Sequence, residues 1–465
     1  MRTLVASGLA ALALSQPLAA KPAAAPSAEA QALELAKQTI AMRSVRGPDN
    51  RTSDVAKAYK ATLLAGGWGE ADIEIAPLED TAYLIATWPG SDPKLKPLVI
   101  SGHMDVVEAK PADWKRDPFT PVVENGFLFG RGASDMKLDN ALAIAALIAL
   151  RQRGYHPKRT IVAAFSGDEE TTMATSQVIV RRLAGSEMVI NLDFDGNGML
   201  DEASGKPLYW TWQGAEKGYA DFELSVTNPG GHSKMPRRDN AINQLAAALV
   251  RIGEYHFAPE QNPLTRAYFE RASAIEQDQK LAAAMRAFAR DPADQAAIAT
   301  LTSYPDTIGK IGTTCVATMV SGGHAINALP QRATANVNCR IFPGHGRAEI
   351  MAVLARVIAD PAVGLRDVTE GATDSPASPM RADFIAASTK AIHSVYPGVP
   401  VVPNMATGAS DCMWYRAAGV DCYIASPLFL KSSDYLSHGL DERAPIANIR
   451  PGIAYYLSLF TDLSK

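Results

Sequence analysis

Residues 98–105, Leu-Val-Ile-Ser-Gly-His-Met-Asp, decide the fold class. A short apolar run leads directly into His103, which is the pattern of a buried strand that ends in a polar loop. Asp105 follows two positions later, where its carboxylate can hold the second imidazole nitrogen of His103. Residues 160–165 form another apolar run, and Ser-Gly-Asp-Glu-Glu follows it at 166–170. Both segments predict a strand with chemically active side chains at its carboxyl end.

The segments around these strands have helical character. Ala141–Leu150 reads as an apolar helix of small residues, and residues 28–42 have helical periodicity. A third strand, Met188–Leu192, ends at Asp193. Alternating strands and helices predict an α/β fold with a mixed, largely parallel sheet flanked by helices. Ligands bind such sheets beyond the carboxyl ends of the strands, where all of these polar residues fall.

The pattern changes after about residue 213. A strand, a helix, two strands, a helix and a further strand follow, interrupted by a polar helical insertion at about 254–310. This order predicts an α+β, ferredoxin-like module inserted into a larger domain. We therefore expect residues 26–213 and 376–465 to form one α/β domain, and residues 214–375 to form the inserted module.

Composition narrows the possible functions. The chain has 465 residues, of which 47% are apolar, and a formal net charge of −4. This is enough apolar sequence for more than one domain, and the charge argues against nucleic acid as a partner. Residues 1–25 combine Arg2 with an apolar run and then small residues. They predict a signal peptide, and hence a periplasmic or secreted protein without a membrane span, whereas the alternative is an ordinary apolar helix.

The four cysteines lie at positions 315, 339, 412 and 422 and include no Cys-x-x-Cys pair, so a cysteine zinc site is not expected. An exported chain permits disulfides. Cys315 and Cys339 are equidistant in sequence from Asn327, where we predict a turn. They either face each other across two strands or remain two buried free thiols. Whether Cys412 pairs with Cys422 stays open.

Further candidate site residues lie in loop-like segments. Asp135, in GRGASDMK, either binds a cation or caps the helix that follows. Glu169 and Glu170 repel each other unless a cation or a proton relieves them, although an isolated acidic turn is commonly just solvated. His438, in SHGLDER, is either a ligand or a surface histidine. Imidazoles combined with carboxylates suit a hydrolytic zinc site, which keeps one position open for water.

Taken together, these motifs resemble the two-zinc aminoacylase and carboxypeptidase family, which includes acetylornithine deacetylase, succinyl-diaminopimelate desuccinylase, carnosinase and glutamate carboxypeptidase. The resemblance covers nearly all of the mature chain and rests on SGHMDVV (101–107), GRGASDMK (130–137), SGDEE (166–170), GGHAINALPQRATANVNCR (322–340), TGASD (407–411) and HGLDER (438–443). It implies a zinc-exopeptidase-like catalytic domain whose inserted module is a lid and dimerisation domain.

The resemblance also implies a cofactor, two Zn²⁺ ions, for which Co²⁺ or Mn²⁺ can substitute. Its implied metal ligands are Asp135 between both ions, Glu170 and His438 on one ion, and His103 with Asp193, or alternatively Asp195, on the other. Glu169 is implied as the general base, with Asp105 supporting His103. The peptide bond after Asp135 is implied to be cis.

In the lid, His232 resembles the histidine that reaches into the partner subunit's active site and steadies the oxyanion. Asn327 and Arg340 resemble residues that hold the substrate's carbonyl and carboxylate. The implied function is a zinc-dependent carboxypeptidase or dipeptidase that cleaves an amide bond beside a free carboxylate and works as a homodimer. An N-acyl amino acid deacylase is the alternative, and a catalytically inactive peptide-binding relative is the third reading.

Overall fold

The structure is a computed structural model that describes residues 26–193 and 197–465; the predicted signal peptide and Asp195 lie outside this part of the chain. Its helices, in chain order, are α1 (Ala28–Ile40), α2 (Thr52–Ala65), α3 (Lys137–Gln152), α4 (Ala174–Leu183), α5 (Ala241–Glu254), α6 (Pro263–Ala272), α7 (Gln279–Arg290), α8 (Gln295–Thr302), α9 (Pro305–Ile308), α10 (Arg347–Ile358), α11 (Ala382–Val395), α12 (Cys412–Ala417) and α13 (Ile449–Leu463). Its strands are β1 (Ile73–Leu78), β2 (Thr81–Trp88), β3 (Leu98–His103), β4 (Val122–Glu124), β5 (Phe127–Phe129), β6 (Ile161–Ser166), β7 (Met188–Asn191), β8 (Gly198–Leu200), β9 (Pro207–Glu216), β10 (Gly218–Thr227), β11 (Gly231–His232), β12 (Thr314–Gly322), β13 (Ala328–Leu329), β14 (Arg332–Ile341), β15 (Gly364–Asp367), β16 (Val401–Ala406), β17 (Cys422–Ile424), β18 (Phe429–Leu430) and β19 (Arg443–Pro445).

The central sheet is mixed and has parallel strands at its centre. Its strands run in the order β1-β2-β6-β3-β7-β17-β9-β8-β18, and β16 pairs with β9. β3 is parallel to both β6 and β7, and β17 is parallel to β7. β1 and β2 extend the sheet in the antiparallel direction. The predicted α/β fold is thereby confirmed.

Burial explains why β3 and β6 are continuous apolar runs. Every residue of both strands is buried, as expected where helices cover both faces of a sheet. Leu98 and Ile100 point into a cluster shared with α1, α3 and α13, whereas Val99 points into a cluster shared with α4 and α12. This packing fixes His103, the last residue of β3, at the carboxyl edge of the sheet. Of the helices in the described residues, none is long and apolar enough to cross a membrane.

The inserted module has the predicted ferredoxin-like order of elements. β10, α5, β12, β14, α10 and β15 follow one another, and the four strands pair antiparallel in the order β12-β14-β10-β15. The predicted domain boundary at residue 213 falls inside β9, because Glu216 still pairs with Ala406 of the central sheet. The lid sheet begins at Gly218, so Lys217 is the junction between the two sheets.

The helical insertion, α6 to α9, packs on the central sheet, although it lies within the residue range that we predicted for the inserted module. Phe269, Phe288 and Leu301 form a buried cluster that includes Val402 of β16. Leu264 reaches the main core of the larger domain. The apolar faces of these helices therefore cover the β9–β16 side of the sheet, and sequence order alone gives no sign of that.

Both cysteine pairs are disulfides. Cys315 and Cys339 occupy directly paired positions on β12 and β14, with Cα atoms 4.1 Å apart. The cross-strand prediction is confirmed, and the free-thiol alternative is wrong. Cys412 and Cys422 join the first residue of α12 to the first residue of β17.

The carboxylate of Glu442 joins two distant loops. It is fully buried and accepts hydrogen bonds from Arg131 Nη1 at 2.6 Å, Gly132 N at 3.1 Å, Ser134 N at 2.8 Å and Asp135 N at 3.1 Å. The glycine-rich loop before α3 is therefore held against the loop that carries His438, which lies four positions before Glu442 in the sequence.

Replacing Glu442 with glutamine is expected to destabilise the protein. The amide leaves the buried Arg131 guanidinium without a counter-charge and turns an NH₂ group toward backbone N–H donors. The free energy of unfolding should fall by about 3–5 kcal/mol, which denaturant titration measures. Glu108→Gln, which breaks a pair between Arg43 and a half-exposed carboxylate, is the matched control and should cost less than about 1 kcal/mol. Equal losses in the two variants would contradict a special role for Glu442.

Candidate metal centre

The site residues come from neighbouring strand ends of the central sheet. His103, at the end of β3, pairs with Ser166 at the end of β6, and Glu169 and Glu170 lie in the turn after it. Asp193 follows β7, the other neighbour of β3. Parallel pairing thus brings side chains that are far apart in the sequence to one edge of the sheet, as predicted.

Asp135 lies between two imidazoles. Its Oδ1 is 3.0 Å from His103 Nε2, and its Oδ2 is 3.2 Å from His438 Nε2. Both carboxylate oxygens of Glu170 also lie 3.0 Å from His438 Nε2. Ligand atoms of His103, Asp135 and Glu170 all lie within 4.8 Å of one another. This set of imidazole and carboxylate donors fits a divalent cation of the zinc type.

The glycine-rich loop has the expected backbone form at this point. The Asp135–Met136 peptide bond is cis, as the family resemblance implies. Asn140, one turn into α3, donates from Nδ2 to the backbone oxygen of His103 at 2.6 Å. Together with the Glu442 contacts, this hydrogen bond fixes the backbone of both His103 and Asp135, whose side chains contact each other.

The Asp105 carboxylate does not occupy the position beside the His103 imidazole that we expected. His103 Nδ1 contacts the backbone oxygen of Asp105 at 3.0 Å, whereas the nearer carboxylate oxygen is 3.6 Å away. That carboxylate accepts hydrogen bonds from Glu169 N at 3.1 Å and Glu170 N at 3.0 Å. Two backbone donors in one tight turn compete better for it than one imidazole. Asp105 therefore anchors the Glu-Glu turn, and its backbone orients His103.

The ionisable groups carry an excess of negative charge away from water. Burial raises the pKa of Glu169 well above its ordinary value; the charge of His103 opposes this shift, and the charges of Asp193 and Glu170 add to it. Burial likewise raises the pKa of Glu170. Hydrogen bonds to Asp135 and Glu170 raise the pKa of His438 to about 10. A bound cation relieves this kind of charge accumulation.

A cleft of about 500 Å³ opens over these residues. Asp135, Glu169, Glu170 and Asp193 line it, and the rest of its lining comes from Glu216, Tyr219, Arg340, Ala406, Gly408, Ala409, Ser410, Ile424, Tyr435, Ser437 and His438. Tyr219 and Arg340 belong to the lid sheet. The cleft therefore lies between the edge of the central sheet and the base of the lid.

His232 and Asn327 lie together but outside this cleft. His232 pairs with Ala328 across β11 and β13, and Ser233 N donates to Asn327 O at 3.0 Å. Both side chains are exposed at the tip of the lid. Within a single chain, the predicted site therefore divides into the donor cluster with Arg340 and a separate pair at the lid tip.

The sequence did not single out four supporting residues, Glu216, Arg416, Glu442 and Asn140, whereas Ser410 lies in the TGASD motif on which the family resemblance rests. Ser410 donates to Glu216 Oε2 at 2.9 Å, and Glu216 also forms a buried ion pair with Arg416 at 3.0 Å. Glu442 and Asn140 act on backbone atoms, which leave no pattern in the sequence. The one available signal was that Glu442 lies in the same short motif as His438.

The chain is similar to known proteins over most of its length. The model of the family "Peptidase family M20/M25/M40" matches residues 99–462. A probable carboxypeptidase S-like 2 from Dictyostelium discoideum is 28% identical over 82% of this chain and 74% of the relative. The N-fatty-acyl-amino acid synthase/hydrolase PM20D1 of Xenopus tropicalis is 30% identical over 80% of this chain and 73% of its own. An M20 family metallo-carboxypeptidase from Sulfolobus solfataricus shares the fold, with a TM-score of 0.69 at 18% identity over 93% and 99% of the two chains. The chain therefore belongs to peptidase family M20/M25/M40.

Proposed function

We propose that this protein is a metal-dependent exopeptidase, a carboxypeptidase or dipeptidase, that cleaves an amide bond beside a free carboxylate. The observation that carries this proposal is the position of Asp135 between the imidazoles of His103 and His438, in a cleft that also contains Arg340. Family membership supports the same reaction class.

Two zinc ions are the proposed cofactor, and Co²⁺ or Mn²⁺ are substitutes. Asp135 would be shared between the two ions, Glu170 and His438 would complete one site, and His103 and Asp193 would complete the other. Asp193 lines the cleft together with Glu169 and Glu170, which supports it as a ligand; the alternative, Asp195, lies outside the described residues. When bound, such ions lower the pKa of a water molecule and polarise the scissile carbonyl.

The chain's own side chains carry the remaining steps. Glu169 accepts the proton of the attacking water and passes it to the leaving amine. Arg340 grips the substrate carboxylate through its planar fork of N–H donors. His232 of the partner subunit steadies the oxyanion, and the partner subunit's Asn327 holds the substrate carbonyl.

Hydrolysis of N-acyl amino acids is the second candidate function. The relative from Xenopus tropicalis is named for that substrate class, and the relative from Dictyostelium discoideum for carboxypeptidase activity. Both substrate classes place a carboxylate beside the scissile amide, so the same Arg340 serves either one. A panel of dipeptides, longer peptides and N-acyl amino acids with zinc-loaded protein, scored by amine release, separates them. Release from none of these substrates would contradict both functions.

We also propose that the protein forms a homodimer through the lid and that it is exported from the cytoplasm. β12 is an edge strand of the lid sheet, and its Val316, Met319 and Val320 side chains are 59%, 71% and 72% exposed. Apolar edge strands of this kind favour pairing with a second chain. The two disulfides and the leader-like residues 1–25 support an oxidising compartment, periplasmic or extracellular.

Glu169→Gln is expected to lower kcat by about 10²–10⁴-fold, because the amide cannot accept a proton from water. Metal content, measured by elemental analysis, should stay at the wild-type level because Glu169 is not among the proposed ligands. Glu34→Gln, at a surface carboxylate that is 68% exposed, is the control and should leave turnover unchanged. Turnover near the wild-type rate in Glu169→Gln would remove Glu169 from this role.

Val320→Glu is expected to convert a dimer to a monomer, because a charge at the paired edge must be desolvated. Light scattering after size-exclusion chromatography measures the molar mass. Val123→Glu, at a 41% exposed position of the catalytic domain, should leave the mass unchanged. If Val320→Glu keeps the dimer mass, the interface lies elsewhere.

A further inference from the structure

The face of the lid sheet that looks toward the cleft carries a set of polar side chains in register. Tyr219 on β10 lies directly opposite Arg340 on β14, and Asp221 lies directly opposite Asn338. Alternate residues of both strands, such as Phe222 and Val337, point the other way into the lid core. The polar set is therefore confined to the exposed face, and its end nearest the central sheet lines the cleft.

Arg340 lies against the ring of Tyr219. Its guanidinium carbon is 4.8 Å from the ring centroid, and its Nη1 donates to the backbone oxygen of Thr407 at 3.3 Å. Within the described part of the chain, Arg340 forms no ion pair with a carboxylate. A half-buried guanidinium held by a ring and a carbonyl remains available to an anionic ligand.

A carboxylate that could take Arg340 away from the cleft lies close by. Asp221 accepts hydrogen bonds from the Tyr219 hydroxyl, from Asn336 Nδ2 at 2.7 Å and from Asn338 Nδ2 at 3.1 Å. Burial opposes its ionisation, yet these bonds and the charge of Arg340 hold its pKa below the ordinary value. Asp221 is thus ionised and within electrostatic reach of Arg340, while neutral donors occupy its oxygens.

We propose that Tyr219 is a positioning residue that holds Arg340 toward the cleft and keeps it from pairing with Asp221. The ring supports the guanidinium from one side, and the hydroxyl occupies the carboxylate that would compete for it. Selectivity for substrates with a free carboxylate then depends on Tyr219 as well as on Arg340. This inference rests on the proposed function, because that function makes Arg340 the carboxylate-binding residue.

The test compares one dipeptide as its free acid and as its C-terminal amide, with zinc-loaded protein. Tyr219→Leu should raise the KM for the acid about tenfold, leave its kcat nearly unchanged and leave kcat/KM for the amide unchanged. Tyr219→Phe keeps the ring and should lose less. Adding Asp221→Asn to Tyr219→Leu should restore much of the preference for the acid, because the competing charge is gone. Tyr255→Leu, at a 41% exposed lid position, is the matched control.

Equal losses on acid and amide would show a merely structural role for Tyr219 and overturn the inference, as would failure of Asp221→Asn to restore selectivity. Calorimetric binding of acid and amide to the Glu169→Gln protein, with and without Tyr219→Leu, tests the same ratio without turnover. Failure of the proposed function appears as absent hydrolysis by the wild-type protein. Failure of the inference appears as an acid-to-amide binding ratio that does not change with Tyr219.

Discussion

The hydrogen bonds that converge on the buried Glu442 carboxylate are the constraint on which the site depends. They join segments separated by 307 to 311 positions in the sequence, and one of the donors is the backbone N–H of Asp135. A buried carboxylate is costly unless several donors satisfy it, so the glycine-rich loop cannot leave Glu442 without a large penalty. Because the backbone of Asp135 is fixed in this way, its two carboxylate oxygens face His103 on one side and His438 on the other.

The rim of the sheet combines three kinds of support for this arrangement. Parallel pairing of β3 with β6 and β7 sets the spacing of the loops, the Asp105 carboxylate closes the Glu-Glu turn, and Asn140 holds the carbonyl of His103. Each support acts through backbone atoms, which hold a site more rigidly than flexible side chains do. Burial is the main cause that raises the pKa values of Glu169 and Glu170, and neighbouring carboxylates add to both shifts.

Much of this could be predicted from the sequence, because the signals are local. Apolar runs that end in His103 or in Glu169-Glu170 mark buried parallel strands, and strand ends meet at one edge. Other features depend on contacts that no local pattern encodes. The Asp105 carboxylate accepts hydrogen bonds from two backbone N–H groups and not from the imidazole. The helical insertion packs on β16 and not on the lid. Glu442 accepts hydrogen bonds from a loop that is distant in the sequence. The roles proposed for His232 and Asn327 require a second chain, so a single sequence predicts them only through family resemblance.

The lid sheet joins the central sheet at Lys217, and the functional residues of the lid lie at unequal distances from this junction. Tyr219 and Arg340 lie beside the junction, whereas His232 lies beyond the far end of β10, a strand of ten residues and roughly 33 Å at about 3.3 Å per residue. If the lid rotated as a rigid body about this junction, His232 would move much farther than Arg340. A molecule bound through its carboxylate would stay in contact with Arg340 during such a rotation, whereas His232 would approach it or move away.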